Sequence, residues 1–130
     1  MNDVEVVKFV KNLKDVDWFG NLILSGGRLL TKEEEVSLGM SLTMIFVGKV
    51  NNRIVNNGSD SEYHIVAGHG YFHRGVDGQI ETIPVEPGSV VRIPKGTPYW
   101  DVPRVGEGLF MVSINHPPYD PKMIKTLNKI

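Results

Sequence analysis

The chain has 130 residues, of which 41% are hydrophobic and 22% are charged, and its formal net charge at pH 7 is −1. These values predict one soluble domain with its own core and no basic field that would attract nucleic acid. The absence of cysteine excludes disulfides, thiolate metal sites and cysteine nucleophiles. No apolar run approaches the roughly 18 residues of a membrane span, and the N-terminal MNDVEVVKFV is unlike a signal peptide. We therefore expect a cytoplasmic protein that binds neither nucleic acid nor membranes.

The first third of the chain contains one ambiguous segment and one clear strand pattern. Asp3 is a candidate N-cap for a short helix with Val6, Val7, Val10 and Leu13 on one face, although VEVVKFV also favours a strand. In VSLGMSLTMIFV, residues 36–47, hydrophobic and small or polar side chains alternate, which predicts a strand. The hydrophobic positions are Val36, Leu38, Met40, Leu42, Met44 and Phe46. We interpret the preceding TKEEE as a solvated loop or strand end.

In the rest of the chain, short apolar runs are separated by glycine, asparagine, aspartate and proline, which is typical of a β protein. VNNRIVNNGSDS is typical of a strand interrupted by loops, and EYHIVAGHGYFHR predicts two strands that meet at a Gly68–Gly70 bend. GVDGQ predicts a hairpin turn with Asp77 and Gly78 at its tip. Further strands are predicted in IETIPV, SVVRIP and GLFMVSINH, before PPYDP ends the sheet and KMIKTLNKI forms a short terminal helix. Roughly seven to nine short antiparallel strands predict a β-sandwich or barrel.

The spacing of glycine and proline resembles the two motifs of the cupin superfamily. In the second motif, Gly88, Pro94 and Gly96 fit the turn positions, and Tyr99 and Pro103 stand at the histidine and asparagine positions. The fit has a physical basis, because glycine permits positive φ and proline fixes φ in tight turns.

The first cupin motif fits between Gly48 and Gly68 with no gap, but its histidine and glutamate positions hold other residues. Its two histidine positions hold Ile54 and Asn56, and its glutamate position holds Ser61. The resemblance implies an all-β fold class: a single-domain cupin-type jelly-roll β-barrel over residues 1–130, with its motif-bearing part at about 38–118 and short flanking helical segments. It also implies a homodimer, since cupins commonly dimerise.

The metal site usual in cupins consists of three imidazoles and one carboxylate, which suit Fe, Mn, Ni, Zn or Cu. All four positions differ in this chain, and a neutral set of Ile, Asn, Ser and Tyr would hold a divalent metal poorly. His69 and His73 lie about 13 Å apart along an unbroken strand, which is too far to share one ion. We interpret His64 as a packing or interface residue and His116 as structural. The sequence therefore predicts neither a metal nor another cofactor.

The cupin frame predicts which side chains line the barrel interior. Those expected to face it are Ile54, Asn56, Ser61, Tyr63, Ile65, Tyr99 and Asp101. Arg92, Trp100 and the strand from Met40 to Phe46 are further candidates for the wall or for ligand contacts. A mostly apolar wall with a few convergent hydrogen-bonding groups is typical of a site for a small polar molecule, such as a sugar.

The leading hypothesis is a metal-independent isomerase, epimerase or lyase that acts on a small polar, sugar-like molecule. Asp101 would be the base, and Tyr99 or Tyr63 the acid or oxyanion donor. This resembles the deoxysugar epimerase branch of the cupins, although the histidine of that branch has no counterpart here. One alternative is a non-catalytic sensor or carrier, in which Tyr99 and Trp100 are core and rim aromatics. Another is a metal-dependent cupin, such as a dioxygenase, with other ligands.

Overall fold

The computed structural model describes residues 18–20, 24–50 and 52–127. This part of the chain contains one α-helix, α1 (Lys32–Leu38), and one 3₁₀ turn at Pro121–Met123. Its strands are β1 (Trp18–Gly20), β2 (Leu24–Arg28), β3 (Ser41–Val47), β4 (Ile54–Asn56), β5 (Asp60–Ala67), β6 (Gly70–Arg74), β7 (Glu81–Val85), β8 (Val90–Ile93), β9 (Tyr99–Pro103), β10 (Leu109–His116) and β11 (Ile124–Thr126). No helix among these residues is long and apolar enough to cross a membrane.

The strands form two antiparallel sheets whose inner faces pack together. The six-stranded sheet has the order β1–β2–β3–β10–β5–β8, and the five-stranded sheet has the order β11–β4–β9–β6–β7. The buried apolar core comes from both sheets and consists of Val47, Tyr63, Ile65, Phe72, Val85, Val91, Ile93, Tyr99, Leu109 and Met111. Two facing sheets with alternating buried positions confirm the predicted all-β fold class.

Residues 32–47 differ from the prediction of a loop followed by one long strand. Thr31 and Glu34 form a capping box, in which the Glu34 N–H donates to Thr31 Oγ1 over 3.1 Å and the Thr31 N–H donates to Glu34 Oε1 over 2.9 Å. Gly39 then ends α1 in the left-handed conformation, with φ of 68°. These two caps fix both ends of a helix, so TKEEE is a helix start and β3 begins only at Ser41.

The inner face of β3 is the opposite of the one that the hydrophobic alternation indicates. Ser41 and Val47 are buried, whereas Phe46 is 37% exposed and packs on Phe110 with ring centroids 6.2 Å apart. The strand from Met40 to Phe46, a predicted part of the barrel wall, therefore contributes Ser41, Thr43, Ile45 and Val47 to the interior and not its alternating hydrophobic side chains. Ser41 and Thr43 lie beside polar side chains of the neighbouring strand β10.

The C-terminal segment also differs from its prediction. Only a 3₁₀ turn forms at Pro121–Met123, and the chain then enters β11, which pairs with β4 so that Ile124 lies opposite Asn56. The sheet edge offers backbone partners that a helix of this length would not match. The helix proposed after Asp3 lies outside the described residues, as do residues 128–130.

Candidate functional site

The barrel interior has a polar end and an apolar end, which the strand register defines. Across β5, β10 and β3, the first layer is Ser61, Asn115 and Ser41, the second is Tyr63, Ser113 and Thr43, and the third is Ile65, Met111 and Ile45. The short bend at residues 68–69 joins β5 to β6, so Gly70 and its partner Pro103 lie at the apolar end. Along β9 the inward side chains therefore pass from Tyr99 to Asp101 with increasing depth.

Two tyrosines from opposite sheets meet in the middle of the barrel. Tyr63 on β5 and Tyr99 on β9 have ring centroids 5.5 Å apart, and their hydroxyls form a short hydrogen bond. Phe72 packs against both rings. Both residues are buried, with exposures of 6% and 7%. The interior thus brings together two of the three predicted catalytic residues.

Burial keeps both tyrosine hydroxyls protonated. It raises the pKa of Tyr63 from 10.0 to about 12, and the charge of Asp101 adds to this effect, whereas the hydrogen bond with Tyr99 opposes it. Burial also raises the pKa of Tyr99 well above its ordinary value, together with the neighbouring Tyr63 and Asp101. At neutral pH both groups are therefore hydrogen-bond donors and proton donors, and neither is a base.

Asp101 lies on the same face of β9 as Tyr99 and is also buried. It pairs in register with Phe72, which places it one layer nearer the apolar end than Tyr99. A buried carboxylate beside two protonated phenols is the kind of arrangement that acid–base chemistry uses. A molecule that enters from the polar end would meet the tyrosine hydroxyls before Asp101.

The polar end contains a hydrogen-bond network that the sequence analysis did not identify. Ser61 Oγ donates to Asn115 Oδ1 over 2.6 Å, and Asn115 Nδ2 donates to Ser113 Oγ over 3.3 Å. All three side chains are buried. Polar residues alternate with apolar ones in MVSIN and SLTMI, but in most half-buried strands such a polar face is the solvent face. The alternation of polar and apolar residues was therefore visible in the sequence, but the face of the strand that lies inside the barrel was not.

A cavity of about 270 Å³ opens at the polar end. Its lining residues are Arg28, Glu35, Ser41, Thr43, Tyr119 and Pro121. The Tyr119 N–H donates to Ser41 Oγ over 2.8 Å, which holds the segment after β10 across the opening. Burial raises the pKa of Tyr119, and the positive charge of Arg28 opposes this effect. Because Ser41 and Thr43 pair with Asn115 and Ser113, this cavity adjoins the polar layers of the interior.

A larger groove of about 680 Å³ lies outside the apolar end, between His69, Tyr71 and Arg104. None of the residues that line it is a buried polar side chain. We therefore place the candidate site at the polar end, where buried polar groups converge.

Three of the predicted ligand-binding residues, Arg92, Trp100 and Asn56, have other surroundings. Arg92 lies on the outer surface and pairs with Glu62 over 3.3 Å, so it is not part of the barrel wall. Trp100 alternates with its inward neighbours and stacks on His73 outside the barrel, with centroids 4.7 Å apart. Asn56 is buried, but its Oδ1 accepts the N–H groups of Gly58 and Ser59 and shapes that turn. Ile54 lies opposite Tyr99 and packs against the core, as the frame predicted.

The donor set of the interior does not fit the metal that the cupin resemblance implies. The inward groups are protonated phenols, serine hydroxyls, an amide and one carboxylate, whereas transition metals in such sites are held by several imidazoles. His64, His69 and His116 pair outside the interior with Glu62, Glu107 and the Gly39 carbonyl, respectively. Within the described ranges, no three His, Cys, Asp or Glu side chains are grouped so that they could hold one ion.

Comparison of the folded chain with solved structures gives clear matches. A Streptomyces Pac13 variant with uridine aligns with a TM-score of 0.75 over 94% of this chain and 92% of that chain, at 14% identity. Ectoine synthase from P. lautus aligns with a TM-score of 0.71 over 93% of this chain and 91% of that chain, at 20% identity. Lactobacillus farciminis oxalate decarboxylase aligns with a TM-score of 0.74 over 88% of this chain but 34% of that chain, at 14% identity.

The chain has the cupin fold. No protein-family model matches its sequence, and no curated protein sequence matches it. At these identities the likeness concerns the fold alone, which confirms the jelly-roll class predicted from the turn residues. The chain therefore shares its fold with a nucleoside dehydratase, an ectoine synthase and an oxalate decarboxylase.

The raised tyrosine pKa values predict a loss of stability in alkaline solution. The unfolded chain releases the Tyr63 proton near pH 10, whereas the folded chain keeps it to about pH 12. Between these values the unfolded state binds fewer protons, so the free energy of unfolding falls as the pH rises. Since one pKa unit corresponds to about 1.4 kcal/mol, Tyr63 should account for a loss on the order of 2 to 3 kcal/mol.

Urea unfolding at about pH 9 and about pH 12 measures this loss. The Tyr63→Phe variant should lose less stability over the same pH interval than the wild type. Equal losses in the two proteins would contradict the assignment of a raised pKa to this hydroxyl.

Proposed function

We propose that this cupin is a metal-independent enzyme of the isomerase, epimerase or lyase kind, acting on a small polar organic molecule inside the barrel. The observation that supports this most directly is the buried pair of protonated tyrosines beside Asp101, below a polar opening. One structural neighbour, Pac13, is described as a nucleoside dehydratase, and variants of it with single tyrosine-to-phenylalanine or histidine-to-glutamine changes were obtained with uridine. A dehydratase is a lyase, the reaction class proposed here.

The proposed reaction begins with proton transfer next to a carbonyl group. The substrate enters from the polar end and separates the two tyrosine hydroxyls, which then donate to its carbonyl oxygen instead of to each other. Asp101 takes the proton from the adjacent carbon, and the electron pair of that C–H bond forms the enolate. Return of the proton to either face gives an epimer or isomer. Loss of a β-hydroxyl group as water, with a proton from a tyrosine, gives the lyase product.

A non-catalytic binding protein is the second candidate, and the interior hydrogen bonds favour it. The tyrosine hydroxyls bond to each other, and Ser61, Asn115 and Ser113 bond among themselves. These groups are thus satisfied before any ligand arrives, and their displacement opposes substrate entry. Such a protein would hold a small molecule as a sensor or carrier without turnover.

Hydrogen exchange in D₂O distinguishes the two candidates. The protein is incubated with aldoses, ketoses and 2-oxo acids, and loss of the signals of the C–H groups next to the carbonyl is followed by NMR. We expect exchange or product formation with one of these classes, and a fall of roughly 100-fold or more in Tyr99→Phe. Tyr71→Phe is the matched control, because Tyr71 is 49% exposed and outside the interior. Equal rates in the wild type and Tyr99→Phe would refute the enzyme, as would a compound that binds without exchange or product formation.

A further inference from the structure

The short helix α1 buries a charged side chain and exposes apolar ones, which is the reverse of an ordinary surface helix. Its one buried side chain is the carboxylate of Glu35, at 6% exposure, whereas Val36 and Leu38 are 81% and 58% exposed. A surface helix normally buries its apolar positions, and burying a carboxylate is costly unless it has a partner. The capping box and Gly39 hold the helix in this orientation. The fold therefore directs a negative charge into the polar end of the barrel against the usual preference.

A positive charge from a different element lines the same cavity. Arg28, at the end of β2, contributes to its wall together with Glu35 and Tyr119. No ion pair joins Arg28 to Glu35 in the part of the chain that the structure describes. Two opposite charges thus line one small opening without neutralising each other directly. A buried charge of this kind is stabilised when a ligand supplies the counter-charge.

We infer that this opening binds a molecule with both an amino group and an acidic group, such as an α-amino acid. The carboxylate of the ligand would bond to the Arg28 guanidinium and the Tyr119 hydroxyl, and its ammonium group would bond to Glu35. The cavity volume of about 270 Å³ suits a ligand below drug size. The inference rests on the proposed function in one respect, since it takes the polar end as the entrance to the reacting groups.

Calorimetric titration of the full chain with sets of related ligands tests this inference. Each standard α-amino acid is compared with the carboxylic acid that lacks its amino group and with the amine that lacks its carboxyl group. We expect at least one amino acid to bind about tenfold or more tightly than both of its relatives, which corresponds to about 1.4 kcal/mol. The inference is overturned if no amino acid binds more tightly than its carboxylic acid, or if the protein binds only uridine or neutral sugars.

Two variants assign the charges to the two residues. Glu35→Gln should remove the preference for the amino acid over the carboxylic acid, and it should not lower stability, because it removes a buried charge. Arg28→Met should weaken the binding of both the amino acid and the carboxylic acid by about tenfold or more. Glu33→Gln on the same helix is the control, since Glu33 is exposed. An unchanged preference in Glu35→Gln would overturn the inference.

The Tyr99→Phe variant separates this inference from the proposed function. Tyr99 is buried and does not line the opening, so the variant should keep the amino-acid preference even where turnover is lost. If the preference is present and no exchange occurs, the binding inference stands and the enzyme proposal fails. If exchange occurs on a compound that lacks one of the two charges, the enzyme proposal stands and the binding inference fails.

Discussion

Replacing Asp101 with asparagine is expected to lower turnover by roughly 100- to 10,000-fold and to change ligand affinity little. The substitution keeps the shape of the side chain but removes the carboxylate that we assign as the base. Asp101 lies one layer below the tyrosine pair, and the charged groups of the opening are in a different part of the site. The loss should therefore be in kcat, with KM nearly unchanged.

The same variant should also change the titration of the tyrosines. The negative charge of Asp101 contributes to the raised pKa of both Tyr63 and Tyr99, so these pKa values should fall when it is removed. Absorbance titration near 295 nm follows phenolate formation directly. Asp77→Asn is the matched control, because the Asp77 side chain is 89% exposed. Full activity in Asp101→Asn would exclude a catalytic role, and an unchanged titration would place its charge too far from the tyrosines to act on them.

The Gly68→Ala substitution is expected to destabilise the fold by at least about 4 kcal/mol. Gly68 has a φ of 90°, and a Cβ at this position would lie 2.0 Å from the carbonyl oxygen of Gly108. The Gly108 oxygen belongs to the backbone and the position of a Cβ is fixed by its own backbone, so no side-chain rotation relieves the overlap. This contact closes the apolar end, where β5 turns into β6 and β10 begins. Moving the backbone at Gly68 away from Gly108 would disturb the buried layer that contains Leu109.

Gly88→Ala provides a matched control for this prediction. Gly88 has nearly the same φ, 94°, but a Cβ there meets nothing within 4 Å. The Gly88→Ala substitution should therefore lower the free energy of unfolding only through the conformational strain of positive φ, by about 1 to 2 kcal/mol. Urea unfolding of the three proteins measures the difference. Equal losses in the two variants would show that strain alone, and not the contact with Gly108, makes Gly68 necessary.

The candidate site was only partly predictable from the sequence. The inward direction of Ser61, Tyr63, Tyr99 and Asp101 followed from the cupin frame, since the period of two along a strand determines which side chains share a face. Arg92 was misassigned because it alternates with Val91, which faces the core.

The other site residues could not be linked from the sequence. Arg28 and Glu35 lie in one part of the chain and Ser113, Asn115 and Tyr119 in a distant part, and the two groups meet only when β3 pairs with β2 and β10. No local pattern connects them.

The direction of β3 illustrates the same limit. Its alternation of small polar and large apolar residues predicts a strand, but it is equally compatible with either face being inside. The capping box at Thr31 and the left-handed Gly39 set the start of β3, and its pairing with β10 then sets the face. Ser41 and Thr43 therefore face inward, against the general tendency to bury apolar side chains.

The sequence by itself determined the fold class and the turns. Those features are local, because glycine, proline and the period of two act over a few residues. Only the tertiary structure decided that Tyr63 and Tyr99 bond to each other, that Asp101 lies one layer deeper, and that Glu35 and Arg28 line one cavity. Those features depend on strand register and on the burial of charges, which arise from pairing between distant segments.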